Sequence, residues 1–205
     1  MKKFPSIIPI FPLSGVIYFP KTNLPLNIFE QRYLDLVSDA YKKDKLMGMV
    51  QSKKKGSTIY EIGCLGKISD YQKSKDGRIL INLTGITRFK IIKEIQNKKL
   101  YREFQVDYQN FAGDIQNNNN DVDVVNLMNK AKTFFERNGL LLNWREFEKL
   151  DQVQKINTLA MIAPITNEEK QKLLESVSVN NKVKILESII SFYLFDTGLN
   201  NQTIQ

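Results

Sequence analysis

The side chains that most often run enzyme chemistry are scarce in this sequence. It has no histidine and a single cysteine, Cys64. A histidine-based triad, a histidine general base and histidine ligation of zinc, copper or haem are therefore excluded. One thiol forms no internal disulfide and no Cys-x-x-Cys site, so a metal would have to be held by carboxylates alone. Cys64 itself lies in an apolar run between Ile62 and Leu65 and reads as a buried structural thiol. Neither phosphate-binding glycine motif is present, and no G-x-S-x-G elbow marks a serine nucleophile. A Ser–Lys pair needs no histidine, but among 24 lysines no spacing singles one out. The acidic pairs Glu146/Glu148 and Glu168/Glu169 read as solvated helix faces near N-termini, where the helix dipole favours them. The expectation is a protein that is not an enzyme, with no cofactor and no metal.

Charge is the feature that bears on partners. The 205 residues carry a net +8, divided unevenly: residues 1–113 hold 20 Lys/Arg against 10 Asp/Glu, and residues 114–205 hold 10 against 12. The first part is thus +10 and the second −2. Lys42, Lys43, Lys45, Lys53, Lys54, Lys55, Lys73, Lys75, Lys98 and Lys99 fall mostly at predicted turns and strand ends, with Tyr60, Tyr71, Phe89, Tyr101 and Tyr108 among them. Positive charge interleaved with aromatics is what nucleic-acid binding requires. Lysine at strand ends is equally a device against edge-to-edge association, and phosphate recognition favours arginine forks.

The elements that must position any site divide at the same place. The run Asn117-Asn118-Asn119-Asn120 has nothing to bury and reads as a linker between a first part, 1–113, and a second, 114–205. Residues 7–13, 16–19 and 24–26 are short apolar runs punctuated by proline and glycine, suited to edge strands. Asn27, with Glu30 three residues on, predicts an N-cap. Phe29, Tyr33, Leu36, Val37, Ala40 and Tyr41 then follow at helical spacing to about Lys43. Strands are predicted over 46–50, 58–71, 79–84, 89–92 and 101–108, with Asp76-Gly77 as a hairpin turn and Gly63 and Gly66 as bulges. About seven strands with one early helix predict a small, partly closed β barrel.

The second part reads as a four-helix bundle. One apolar stripe runs from Val124 to Phe135 and stops at Asn138-Gly139. Another joins Phe147, Leu150, Val153, Ile156 and Ala160 and stops at Pro164. Thr166 with Glu169 forms a capping box, and a last helix through Val183 and Ile190 ends at Gly198. The N-terminal Met1-Lys2-Lys3 and the apolar residues after it resemble a signal peptide, but Pro5, Pro9, Pro12 and Pro20 break any helix there. No apolar run reaches the roughly 18 residues needed to span a bilayer, so a cytoplasmic protein with no membrane partner is expected.

The order of motifs resembles a known family. Residues 10–16 (Ile-Phe-Pro-Leu-Ser-Gly-Val), then Phe19-Pro20 and residues 24–30 (Leu-Pro-Leu-Asn-Ile-Phe-Glu), resemble the opening of the Lon protease N-terminal substrate-binding domain. Residues 61–68 are similar to its glycine-containing strand. Asp76-Gly77-Arg78 leading to residues 83–91 resembles its hairpin and Gly-x-x-Arg strand, and residues 159–175 its helical segment. The resemblance covers about residues 7–195. It implies an α+β fold, a PUA-like barrel with one inserted helix followed by a C-terminal helical bundle. It also implies binding of unfolded or client polypeptides, with a separate protease or ATPase as a collaborator. The ATPase module and Ser–Lys peptidase of full-length Lon have no counterpart in the sequence, so a stand-alone, non-enzymatic binding module is expected. RNA binding through the basic barrel is the alternative, because PUA-like barrels often bind RNA.

Polypeptide capture needs exposed apolar surface or a sheet edge that tolerates many sequences. Phe19, Pro20, Leu24, Pro25 and Ile28 are the candidates, since proline there keeps backbone groups unpaired; closure of the barrel is the competing role for the same side chains. Arg32 and Arg88 are the candidate charged contacts. For Arg88 a structural ion pair or carbonyl contact inside its strand is the alternative.

Overall fold

In the computed structural model, residues 4–53, 58–115 and 123–200 are described, the last five by backbone alone. The predicted linker at 117–120 and the basic loop at 54–56 lie outside them. The chain forms two compact units, Met1–Asn118 and Asn119–Gln205.

The first unit is one mixed sheet and one α-helix. Its strands are β1 (Ile7–Leu13), β2 (Asn23–Ile28), β3 (Leu46–Gln51), β4 (Ile62–Lys73), β5 (Ile79–Ile95) and β6 (Arg102–Asp107), with α1 (Gln31–Lys42) between β2 and β3. Their order is β2-β5-β4-β3-β1-β6, and β5 also pairs with β6. Five strands therefore close into a ring, and β2 lies outside it as an edge strand. Only β1 and β3 run parallel; each of the other pairings is antiparallel.

The ring closes because every one of its strands carries an apolar inward face. Ile8 and Ile10 of β1, Val50 of β3, Leu65 of β4, Phe89 of β5, and Phe104 and Val106 of β6 form one buried cluster. Burying each such side chain stabilises by about 1.5–3 kcal/mol. On β5 the expected alternation holds: Ile79, Ile81 and Leu83 are buried, while Leu80 between them is 42% exposed.

Four predicted details differ. Residues 16–19 form no strand. Residues 79–84 and 89–92 belong to one 17-residue strand, because β4 pairs with β5 along nearly its whole length. Six strands thus stand among the described residues where about seven were predicted. Asn27 caps no helix: it sits in β2 opposite Leu80, and the helix begins instead after Glu30. Cross-strand pairing through Ile28 and Ile79 outweighs a local capping signal. Gly66 does sit at a register shift between β4 and β5, whereas Gly63 pairs in regular register with Phe89.

The helix α1 buries Tyr33, Leu36, Val37 and Ala40, the expected stripe; Phe29, at its head, is 68% exposed. After β6 a 3₁₀ turn (Gln109–Asp114) returns to β5. There the Arg88 guanidinium donates to both Asp114 carboxylate oxygens, from Nε at 2.9 Å and Nη2 at 2.8 Å, and the Arg88 backbone N–H adds a third bond.

The second unit is helical: α2 (Val125–Arg137), α3 (Trp144–Phe147), α4 (Gln152–Ile162), α5 (Asn167–Glu175) and α6 (Val179–Asn200). Its core includes Leu127, Phe134, Phe135, Ile156, Leu159, Leu173, Leu186 and Ile190. The Thr166–Glu169 capping box forms as expected, and Asp151 with Gln154 makes a second that starts α4. That second box separates Phe147 from Ile156, so one expected helix is two, and five helices stand among the described residues where four were predicted. The last helix runs two residues past Gly198, which does not terminate it.

Candidate functional site

The five residues expected to form an apolar peptide surface are mostly core. Phe19 is 0%, Leu24 7% and Ile28 2% exposed, and Pro20 is buried with them; only Pro25 faces solvent. The cause is a set of bonds that lays residues 18–22 onto β5. Lys21 N–H donates to Gly85 O at 2.9 Å, Gly85 N–H donates to Thr22 O at 2.9 Å, and the Tyr18 hydroxyl donates to Leu83 O at 2.7 Å. The Thr22 hydroxyl closes the turn on Phe19 O at 2.7 Å. The backbones meet so closely that a Cβ at Gly85 would lie 2.3 Å from Phe19 O. Gly85→Ala is therefore expected to cost about 1–3 kcal/mol, seen as a lower urea midpoint with an unchanged slope.

Pro25 pairs with Asn82 in the outer strand β2 and removes a donor from that edge, a device that discourages strand addition. Arg88 is also not available to a partner. Its side chain is 3% exposed, and it lies over the Phe111 ring at 4.6 Å as well as on Asp114. The structural ion pair is the role it takes.

Arg32 is the exception, because it lies on an open cleft. This cleft, about 430 Å³, is bounded by the end of β1, the head of α1, Ser52 and Ile59 beyond β3, and the turn between β5 and β6. Phe11, Leu13 and Leu100 supply apolar wall, and Arg32, Tyr33 and Arg102 supply polar groups. Leu100, at 64% exposed, stands at its rim.

The cleft exists because β6, antiparallel to β1, begins only at Arg102. The β1–β6 register runs from Ile7↔Gln105 to Ile10↔Arg102, while β1 continues to Leu13 with β3 alone as neighbour. Val106 N–H donates to Ser6 O, so residues 6, 8 and 10 turn their backbone groups toward β6, and Pro12 is next in that series. Pro12 has no N–H to give, so the ladder ends and leaves a short open edge.

Within the cleft the Tyr33 ring lies against Phe11, with centroids 4.0 Å apart, and the Arg32 guanidinium sits 4.5 Å from its centroid. Arg32 pairs with Glu30 through Nε at 3.0 Å and Nη2 at 2.7 Å, both to one oxygen. Arg102 makes a forked pair with Glu94, at 2.8 and 2.7 Å. That hydrogen bond holds the Glu94 carboxyl below the usual carboxylate range. Burial pushes the Tyr33 phenol up, opposed by Arg32 and Arg102 and reinforced by Glu30. Sequence reasoning missed Tyr33, Leu100 and Arg102 as site residues: Tyr33 was absorbed into the helix stripe, and the other two became neighbours of Phe11 only through strand pairing.

Among the described residues, no group of three or more His, Cys, Asp or Glu could hold a metal ion, and no helix is long and apolar enough to cross a membrane. The first unit is thus a closed mixed barrel with a partly apolar, hydrogen-bonding cleft at an interrupted strand edge. The chain belongs to the ATP-dependent protease La (LON) substrate-binding domain family, whose model matches residues 7–191. It is 27% identical over 208 residues to the Lon protease of Syntrophus aciditrophicus, covering 94% of this chain and 26% of that protein. To the Lon protease of Cytophaga hutchinsonii it is 31% identical over 103 residues, 47% of this chain and 13% of that protein. The chain spans about a quarter of the length of the full-length relatives it matches. Among solved structures, the Lon N-terminal domain protein from Xanthomonas campestris has a TM-score of 0.69 at 19% identity, over 90% of this chain and 98% of that one. The N-terminal domain of Mycobacterium avium complex Lon protease has a TM-score of 0.64 at 15% identity, with the same coverage. These likenesses establish the α+β fold.

Proposed function

We propose that this chain is a non-enzymatic polypeptide-binding module, an adaptor or chaperone-like holder, and that the cleft beside the end of β1 receives an extended segment of its client. The family is described as a substrate-binding domain, and the Lon relatives are proteases, whose substrates are polypeptides. The observation that carries the location is the interrupted β1–β6 ladder with apolar wall beside it. Such a place offers the Pro12 carbonyl to a backbone N–H of any sequence and side-chain contact to apolar ones. Collaboration with a separate ATPase or protease belongs to the same reading, because a holder without catalysis must pass its client on.

RNA has no such observation in its favour. At least six basic side chains of the first unit sit against carboxylates: Arg32, Arg78, Arg88, Lys90, Lys99 and Arg102.

A permanently unfolded probe, reduced and carboxymethylated lactalbumin, tests the proposal by fluorescence anisotropy. It is expected to bind, and Leu100→Asp at the cleft rim to weaken it at least about tenfold, roughly 1.4 kcal/mol, with the melting curve unchanged. Equal affinity of the two proteins for the probe would remove the cleft from the proposal, and no binding to either would remove polypeptide capture itself.

A further inference from the structure

The helix α6 has two sides, of which the second unit uses one. Lys182, Val183, Leu186 and Ile190 are buried in that unit. Farther along, the Tyr193 ring lies against Phe134, with centroids 5.7 Å apart, and the Leu194 carbonyl accepts from Arg137 at 3.0 Å. On the opposite side Phe192 and Phe195 are 64% and 71% exposed, and Ser188, one turn before Phe192, is exposed with them. Ile185, partly buried, stands one turn before Ser188. Ile185, Ser188, Phe192 and Phe195 thus recur at steps of three, four and three residues, the spacing that lines up a seam for a second helix. From Ile185 to Phe195 the one charged residue is Glu187, and it is paired with Lys130 at 2.8 Å. Nothing on the seam therefore repels a like face.

The order of sizes along the seam selects the partner. The smaller members, Ile185 and Ser188, come first, and the two rings follow. A second α6 laid antiparallel, with the two Ile190 positions level, sets Phe192 beside Ser188 and Phe195 beside Ile185, in both directions. Each of the four layers then holds one ring and one smaller side chain, so the seam is complementary to itself about a two-fold axis. A parallel pair would instead crowd ring on ring in two layers and leave serine on serine in a third. We propose that α6 pairs with the α6 of a second copy of this chain through this seam, antiparallel and centred on Ile190. The four rings at these exposures supply roughly 500 Å². With Ile185, Ser188 and the flanking atoms the contact stays at the low end of specific interfaces, below about 1,200 Å², so the dimer is reversible and of micromolar affinity.

Sedimentation velocity of the full chain from about 1 to about 200 µM reads the pairing directly. The average mass is expected to rise from 23.8 kDa toward twice that value. Phe192→Glu and Phe195→Glu are each expected to weaken the association tenfold or more. Their melting curves at the lowest concentration should match that of the unaltered protein, because neither ring is in the core. Ser188→Phe puts two rings in one layer and is expected to weaken the association as well. A mass of one chain at every concentration overturns the proposal, and so does a dimer indifferent to both glutamate substitutions. A dimer strengthened by Ser188→Phe overturns the antiparallel register. A protein that stays monomeric, and whose Phe192→Glu variant binds the unfolded lactalbumin probe less tightly, would give this face to clients instead of to a second copy.

Discussion

Arg88→Ala is expected to destabilise the first unit by about 3–5 kcal/mol, the usual result of removing one partner from a buried ion pair. Total domain stability is commonly about 5–15 kcal/mol, so the urea midpoint should fall steeply. The size of the effect follows from what remains behind. Asp114, with its side chain 11% exposed, loses both guanidinium bonds and keeps only the Arg88 backbone N–H. The Phe111 ring loses the planar cation stacked on it at 4.6 Å. The 3₁₀ turn Gln109–Asp114 is then anchored to β5 mainly through Phe111 itself, 3% exposed, and the long Thr87 bond to its carbonyl at 3.4 Å. Arg88→Lys should recover little, since an ammonium cannot reproduce the fork. A double replacement, Arg88→Met with Asp114→Leu, should recover much of the loss, because an apolar pair leaves no buried charge unpartnered. If Arg88→Ala melts with the unaltered protein, the pair is not structural.

Phe19→Ala should be comparably damaging, at about 3–5 kcal/mol, for a reason that contains no electrostatics. The ring is fully buried, and the bonds between residues 21–22 and Gly85 hold its backbone too firmly for the loop to collapse into the space left. This substitution separates two roles for the same segment. With the side chain in the core, Phe19→Ala lowers the melting temperature while the variant, kept below its lowered transition, binds the unfolded probe with unchanged affinity. Leu100→Asp is expected to do the reverse. Loss of probe affinity in a Phe19→Ala protein that melts normally would return the segment to the role expected from sequence.

How much of this was legible beforehand depended on whether a feature is local. The bounds of β1, the apolar stripe of α1, the turn at Asp76-Gly77 and the capping box at Thr166 all follow from neighbours a few residues apart. Gly77, for instance, adopts a φ of +90° and donates to Ser74 O, as a tight turn requires. Features set by pairing were not legible. Asn27 has the composition of a cap and the position of a strand residue, because Leu80, 53 positions on, is its partner. Phe19 and Pro20 read both as exposed surface and as barrel closure, since periodicity tells which side chains share a face and not what covers it. The cleft draws on residues 10–14, 30, 32, 33, 52, 59 and 100–102, brought together only once the ring has formed. Arg32 and Arg88 were both candidate charged contacts, with a structural ion pair as the alternative for Arg88 alone, and burial divides them: 54% of one side chain is exposed and 3% of the other.

The register of β1 against β6 also sets an order of assembly. Ile7, almost the first residue described, pairs with Gln105, and the ring has no seam that can close before residue 102 onward is available. A nascent chain ending at residue 100 would hold β1 and the second half of β5 as two bare edges with nothing to join them, the arrangement most prone to pairing with another chain. Pairings of such long sequence separation also make closure slow compared with the formation of the helices that follow. The barrel is thus vulnerable longest while it is being made, and the strand that ends this vulnerability is the one whose late start opens the cleft.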